Sequence, residues 1–281
     1  MMKKFILICV VLLLVACNGE ADEPSAGENA VSAAATPLPE LTDTPIPADT
    51  PTPESTDTPE PTHTPEPTHI PEPMATATLA PLTPEELDVF LIESARSGDL
   101  ENVKLALAEG ANIEAEEKLQ KFSSLSLATL MGHSEVVVYL LEQGANVNTM
   151  GRRDVTPLIL AAKDGNPEII SILIDAGANV NHQGGSQYKQ RPLHWAAQYG
   201  HTEAILVLLD AGVDVNILEG TQSTALMYAA YYNNDTDVVE LLIEQGADLN
   251  LLDNVSKTAL HWANVQNHPD IAALIEAAGG E

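Results

Sequence analysis

The chain has 281 residues and carries 12 Lys and Arg against 41 Asp and Glu, a formal net charge of −29. That length suffices for one or two globular units. The charge argues against nucleic acid, whose counterions are displaced by basic stripes, and against polybasic binding to anionic lipid. Aromatic residues make up 4% of the chain, so any core must be aliphatic and built from small residues, and two cysteines, Cys9 and Cys17, make neither a disulfide framework nor a structural zinc site by themselves.

In chain order, Lys3-Lys4 is followed by an apolar run from Phe5 to Val15 and then by Ala16-Cys17. A basic start, a short apolar core and a small residue before the cut describe a secretory signal. The run is short for a bilayer span. The ending Leu14-Val15-Ala16-Cys17 resembles the bacterial lipobox, whose cysteine is lipidated and becomes the first residue after cleavage. The resemblance implies a signal peptide over 1–16 and a lipid on Cys17. It also implies loss of Cys9 and a mature protein with no free thiol for catalysis or redox sensing. The location it implies is the bacterial cell envelope, anchored to a membrane by lipid and facing outside the cytoplasm. A signal cut elsewhere and an uncleaved anchor are the alternatives.

Residues 17–82 are expected to form a disordered Thr/Pro/Glu-rich tether. Fifteen of the 19 prolines fall from Pro24 to Pro84, and no Lys or Arg occurs between Lys4 and Arg96. With few large apolar residues, burial cannot offset the conformational entropy lost on folding. The unit Thr58-Pro-Glu-Pro-Thr-His63 repeats as Thr64-Pro-Glu-Pro-Thr-His69. Such prolines favour polyproline II, at ~3.1 Å per residue, so the tether reaches ~200 Å at most. His63 and His69 share a face, but organising metal ligands on a flexible chain is costly, and repeat expansion explains them better.

From Thr83 to Glu281 the chain repeats itself. Glu135 to Glu142, Glu168 to Asp175, Glu203 to Asp210 and Asp237 to Glu244 superimpose, and each is followed by a glycine. The glycines Gly110, Gly144, Gly177, Gly212, Gly246 and Gly279 are spaced by 34, 33, 35, 34 and 33 residues. Upstream of each lies a second motif: Thr156-Pro-Leu-Ile-Leu-Ala-Ala162, Arg191-Pro-Leu-His-Trp-Ala-Ala197, Thr224-Ala-Leu-Met-Tyr-Ala-Ala230 and Thr258-Ala-Leu-His-Trp-Ala263. With Gly132-His133, Gly200-His201 and the tails Gly144 to Asn148 and Gly177 to Asn181, the segment 83–281 resembles the ankyrin repeat. About six units are legible, the terminal ones degenerate. The fold expected is all-α: a solenoid of stacked helix-turn-helix units with hairpin-like fingers. Thr-Pro opens a helix by capping, the Ala-Ala pair allows close helix approach, and the glycine after the second helix ends it in the left-handed conformation. One unit cannot bury its own apolar face, so stacking supplies the core. Local departures are Ser123-Ser124 for Thr-Pro, Asn233-Asn234 for Gly-His, and a finger from Asn181 to Arg191 two residues longer than its neighbours.

No catalytic constellation is legible, and neither a cofactor nor a metal site nor a small-molecule substrate is expected. His194 and His261, and likewise His133, His201 and His268, are implied by the resemblance to be inter-repeat hydrogen-bonding residues. Asn234 to Thr236 and Asn254 to Ser256 match glycosylation acceptors, a pattern frequent by chance. The resemblance further implies partner binding through the finger tips and the concave face of the first helices. The concave positions include Leu130 and Met131, Lys163 and Asp164, Gln198 and Tyr199, and Tyr231 and Tyr232. Seven of the eight Trp and Tyr residues lie from Tyr188 to Trp262. Trp195 and Trp262 sit inside the motif as core. Tyr199, Tyr231 and Tyr232 are the candidate contact residues, since exposed aromatics supply contact area at low entropy cost; the competing reading is packing between helices. Seven basic residues fall in fingers, among them Arg152, Arg153, Lys189 and Arg191, which makes that edge the less negative one and a candidate for steering an acidic partner. The function expected is a membrane-tethered, monomeric scaffold that binds a partner protein without catalysis of its own. A structural or adhesive surface protein, or an enzyme using the solenoid groove, are the alternatives.

Overall fold

The computed structural model describes residues 82–233 and 235–281. The signal segment, Cys17, the tether through residue 81 and Asn234 lie outside the described residues. The described residues contain twelve α-helices, a three-residue 3-10 turn at Arg152–Asp154 and no strand. The α-helices are α1 (Pro84–Ser97), α2 (Leu100–Ala108), α3 (Ser124–Leu130), α4 (Ser134–Glu142), α5 (Pro157–Asp164), α6 (Pro167–Asp175), α7 (Pro192–Tyr199), α8 (Thr202–Asp210), α9 (Ala225–Tyr232), α10 (Thr236–Glu244), α11 (Ala259–Val265) and α12 (Pro269–Ala277). They form six antiparallel pairs. The odd-numbered helices pack against one another in sequence order, and so do the even-numbered ones.

Side-chain caps start five of the six odd-numbered helices. Thr156, Thr224 and Thr258 accept the backbone N–H three residues on, and Ser123 does the same where threonine is missing. Thr83 and Glu86 cap α1 reciprocally, satisfying two of the donors left open at a helix start. The Ala pairs Ala161-Ala162, Ala196-Ala197 and Ala229-Ala230 are fully buried. Their small volume lets the odd helices approach closely enough to exclude solvent. The even helices bury Ile169, Ile170, Leu173, Ile205, Leu208, Val239 and Leu242 between them, and these join one aliphatic core running through all six pairs. Each such buried side chain contributes about 1.5–3 kcal/mol relative to exposure. The gain exists only because a neighbouring unit covers the face.

Two side-chain ladders tie consecutive pairs together. In the first, histidines hold a carbonyl at the end of the preceding odd helix: His133 on Arg96, His201 on Lys163 and His268 on Ala230, each at 3.0 Å. Asn233 does this for Ala197, so the departure from Gly-His in the fifth pair preserves the bond. The second ladder runs along the loops after the even helices. Asn148 Oδ1 accepts the Asn179 N–H at 2.8 Å, and Asn216 Oδ1 accepts that of Asp248 at 2.7 Å. Asp88 of α1 supplies the same acceptor to Asn112 at 2.7 Å, so the first pair needs no preceding finger.

Candidate functional site

Five fingers join successive pairs. Each is closed by a backbone bond from Glu117 to Phe122, Gly151 to Val155, Gly184 to Gln190, Glu219 to Ser223 and Asp253 to Lys257, the first-named residue donating its N–H. Where the first-named residue is acidic, its carboxylate folds back over the tip. Glu219 accepts the N–H groups of Thr221 at 2.9 Å and Ser223 at 3.1 Å, and Asp253 Oδ1 accepts those of Val255 and Lys257, both at 2.9 Å. Both carboxylates are buried, at 4% and 6% exposure. Adjacent fingers are then stitched together: Arg152 N–H to Gln120, Gly185 to Arg153, Gly220 to Tyr188 and Asn254 to Thr221, at 2.7–3.0 Å. That spacing leaves no room for a side chain at Gly184, where a Cβ would sit 2.0 Å from the Asp154 carbonyl oxygen.

Against this row of fingers the odd helices present their aromatics. Tyr232 at the end of α9 is 50% exposed and Tyr199 at the end of α7 is 45% exposed. Tyr231 is only half-buried, wedged edge-on between Tyr232, with ring centroids 4.6 Å apart, and Trp262, at 5.4 Å. It therefore packs as well as faces the groove. Trp195 is core, whereas Trp262 is half-buried and lines the groove, with its Nε1–H donating to Asp253 Oδ2 at 2.9 Å.

The rings fall into two clusters. Tyr199 stacks between Trp195 and His201, and Lys163 of α5 lies over both larger rings, 5.5 Å from Trp195 and 5.7 Å from Tyr199. One repeat further on, Tyr228 and Tyr232 stack in the same way, with Tyr231 and Trp262 beside them. Here finger and helices enclose a cleft of about 390 Å³ lined by Tyr188, Met227, Tyr228, Tyr231, Tyr232 and Trp262, with Thr221, Ser223, Asp253 and Asn254 supplying polar groups. Burial pushes the Tyr228 hydroxyl well above its ordinary pKa, and the Glu219 carboxylate adds to this; burial raises Tyr232 too, with Tyr231, Tyr188 and Tyr199 contributing. Tyr188 and Tyr228 are groove residues that sequence reasoning passed over, and Trp262, read there as core, lines the cleft. The longer finger was the signal for Tyr188, because its extra length carries that residue across to the next repeat.

The other candidates lie apart from this cleft. Leu130 packs half-buried against a small second core of Ile92, Phe122, Leu127 and Leu160, while Met131 is exposed beside it. Both belong to the second pair, two repeats from Tyr199. Arg152, Arg153 and Lys189 are exposed on the fingers, and Arg153 and Lys189 hold left-handed backbone, with φ near 60° and 55°. Arg191 is half-buried at the base of the long finger. Its guanidinium donates to the Leu218 carbonyl at 3.0 Å and to that of Asn181, pinning the long finger at its base. Two of its N–H groups are thus engaged within the chain.

His194 is fully buried and bonded through Nε2 to the Ser223 carbonyl at 3.0 Å, so it links two repeats. Burial, with the Arg191 charge adding, pushes its pKa down to about 4. Among the described residues no cluster of three His, Cys, Asp or Glu is placed to hold a metal, and no helix is long and apolar enough to cross a membrane.

Stacked helix pairs with ladders, stitched fingers and an aromatic groove define a helical-repeat protein of the kind that presents an extended surface to another macromolecule. The chain belongs to the ankyrin-repeat family. A family model described as ankyrin repeats in three copies matches residues 149–219 and 193–279, and a single ankyrin repeat model matches residues 121–152. The crystal structure of the human ASB11 ankyrin repeat domain is similar at 30% identity, with a TM-score of 0.62 over 68% of this chain and 84% of that one. It is one of 604 solved chains that match, a breadth that fixes the fold and leaves the partner open. No curated protein matches the chain. Ankyrin repeats generally mediate protein–protein interaction and typically carry no catalysis of their own.

Proposed function

We propose that this chain is a lipid-anchored scaffold of a bacterial cell envelope, which captures a partner protein through the aromatic groove between its fingers and odd helices. The observation that carries the reading is the cleft around Tyr231, Tyr232 and Trp262. Interfaces draw their affinity from buried aromatic anchors set in pockets and rimmed by polar groups, and here five aromatic side chains from three different repeats converge on one cleft. Exposed basic fingers at Arg152, Arg153 and Lys189 lie along the same edge and supply a steering field distinct from the cleft. The anchor rests on the lipobox ending at Cys17, and the Pro-rich segment behind it serves as a spacer. Holding a binding domain near a surface raises its effective concentration there without any new contact.

The experiment is site-specific photo-crosslinking in the native organism. A photoreactive amino acid replaces Tyr232, with Val138 on the outer face of α4 as the control position. A discrete protein adduct from position 232 and none from position 138 is the expected result. Adducts from both positions, or only to polysaccharide, would replace the scaffold reading with an adhesive one. In parallel, Cys17→Ser should abolish lipid attachment and block cleavage of the signal peptide, read as a change in mass. Unchanged mass and membrane partition in that variant would remove the anchor from the proposal.

A further inference from the structure

The two aromatic clusters are copies of one arrangement, and the difference between them is informative. In the fourth pair, Trp195 and Tyr199 stack with centroids 6.1 Å apart and planes inclined by 12°. In the fifth, Tyr228 and Tyr232 stack at 5.9 Å and 15°. The fourth-pair stack is covered by a cation from the repeat before it, Lys163, at 5.5 and 5.7 Å from the two rings. Lys163 follows its Ala-Ala pair directly. The residue in that position one repeat on is Gln198. Gln198 is neutral, and its Oε1 is already held by the Gln190 amide at 2.6 Å. The fifth-pair stack thus has the geometry that holds a cation in its neighbour, and among the described residues no Lys or Arg lies over it.

The rest of the cleft has the chemistry of a cation receptor. Among the described residues no Lys or Arg lines it. Asp253 lies in its wall and Glu219 closes the finger whose Thr221 and Ser223 line it. Among the described residues, neither carboxylate has a Lys or Arg partner; each accepts only N–H and O–H donors. The surroundings add to this field, since Thr83 to Glu281 holds 29 acidic and 10 basic residues. Aromatic faces attract a cation through the ring quadrupole, and more strongly where water is partly excluded.

We propose, building on the scaffold reading above, that this cleft receives a single basic side chain of the partner protein, an arginine or lysine seated over Tyr228 and Tyr232 with Tyr231 and Trp262 as walls. The chain's own acidic Thr-Pro-Glu-Pro segment is the natural competitor for an aromatic groove, but its carboxylates are repelled by Asp253 and Glu219, whereas a basic side chain is attracted.

The test uses the full chain in detergent and short Gly-Ser peptides with one central arginine, its neutral isostere citrulline, leucine or glutamate, read by tryptophan fluorescence and calorimetry. The arginine peptide should bind about tenfold tighter than the citrulline peptide, the amount that one well-placed cation–π contact supports. Tyr232→Phe should keep this preference and Tyr232→Leu should abolish it, because the ring and not the hydroxyl attracts the cation. Gln198→Lys should restore the covering cation within the chain and weaken the arginine peptide by a similar factor. Equal binding of arginine and citrulline, tighter binding of leucine, or tighter binding of a peptide spanning residues 58–69 would each overturn the proposal. These comparisons use the wild-type chain, so they decide even if a variant fails to fold. A protein adduct at position 232 without arginine preference would leave the scaffold reading standing and remove only this one. Arginine preference without a protein adduct would do the reverse.

Discussion

Replacing Gly184 by alanine separates two reasons for a glycine in this fold. Gly184 opens the long finger with ordinary backbone torsion, so alanine there meets no left-handed strain. What it meets is the neighbouring finger: its Cβ would lie 2.0 Å from the Asp154 carbonyl oxygen and 2.7 Å from its carbon. The finger must withdraw by more than an ångström. That movement breaks the Gly185 N–H to Arg153 bond and the His182 ring bond to the Asp154 carbonyl, both 2.9 Å. At about 1 kcal/mol net for each bond, with some loss of packing where Gly185 sits over Trp195, the cost is about 2–3 kcal/mol. Gly177 is the contrasting case. It has φ +88° and open space around the added atom, so alanine there meets backbone strain alone, about 1–2 kcal/mol. Asparagine discriminates between the two. It tolerates the left-handed region, so Gly177→Asn should be milder than Gly177→Ala, whereas Gly184→Asn should be worse than Gly184→Ala because a larger side chain deepens the clash. Urea unfolding followed by circular dichroism measures all four variants. The packing argument fails if Gly184→Ala stays within about 0.5 kcal/mol of wild type, or if asparagine relieves it. Because the same finger carries Tyr188 to the cleft, the variant should also weaken arginine-peptide binding.

Keeping His194 neutral makes stability pH-dependent. Its pKa in the fold, about 4, lies below its ordinary value of 6.5, so the unfolded chain takes up the proton first as pH falls. The contribution is complete above about pH 6.5 and is lost toward pH 4, by up to about 3 kcal/mol. The His194→Gln variant should show a flatter stability profile over that window, and equal slopes would show that this proton is not involved. His201→Ala should cost about 1–2 kcal/mol through the bond to the Lys163 carbonyl and the stack with Tyr199. His201→Asn should recover at least half of that, as Asn233 does the same task one repeat later; calorimetric melting of the pair decides. Asn148→Ala removes both the acceptor for Asn179 and the donor to Gly177, so about 1–2 kcal/mol should be lost, and amide exchange at Asn179 should accelerate more than exchange in α1.

The period of the sequence was sufficient for the fold because a repeat protein is local. Each helix pair touches only the pairs about 33 residues before and after it, so a motif that recurs in step already states which residues meet. Thr-Pro, Ala-Ala and the glycines at Gly144, Gly177, Gly212 and Gly246 each act within a few residues, and each takes the predicted role: a cap, a close approach, a left-handed stop. The histidine ladder was implied by the resemblance to the ankyrin repeat, and His133, His201, His268 and His194 take that role. The functional surface was only partly so. Tyr199, Tyr231 and Tyr232 share a face by register, but register does not show that Tyr231 is wedged between two rings while Tyr232 stays open. Arg191 counts as a finger charge in the sequence, and only folding turns its guanidinium back onto the Leu218 carbonyl. Tyr188 and Trp262 are 74 residues apart and meet in one cleft because stacking and the extra length of one finger bring them there. Local pattern determines which residues repeat. Where their side chains end up depends on the distance between stacked units, and that distance is set by the tertiary packing of Ala pairs and finger glycines.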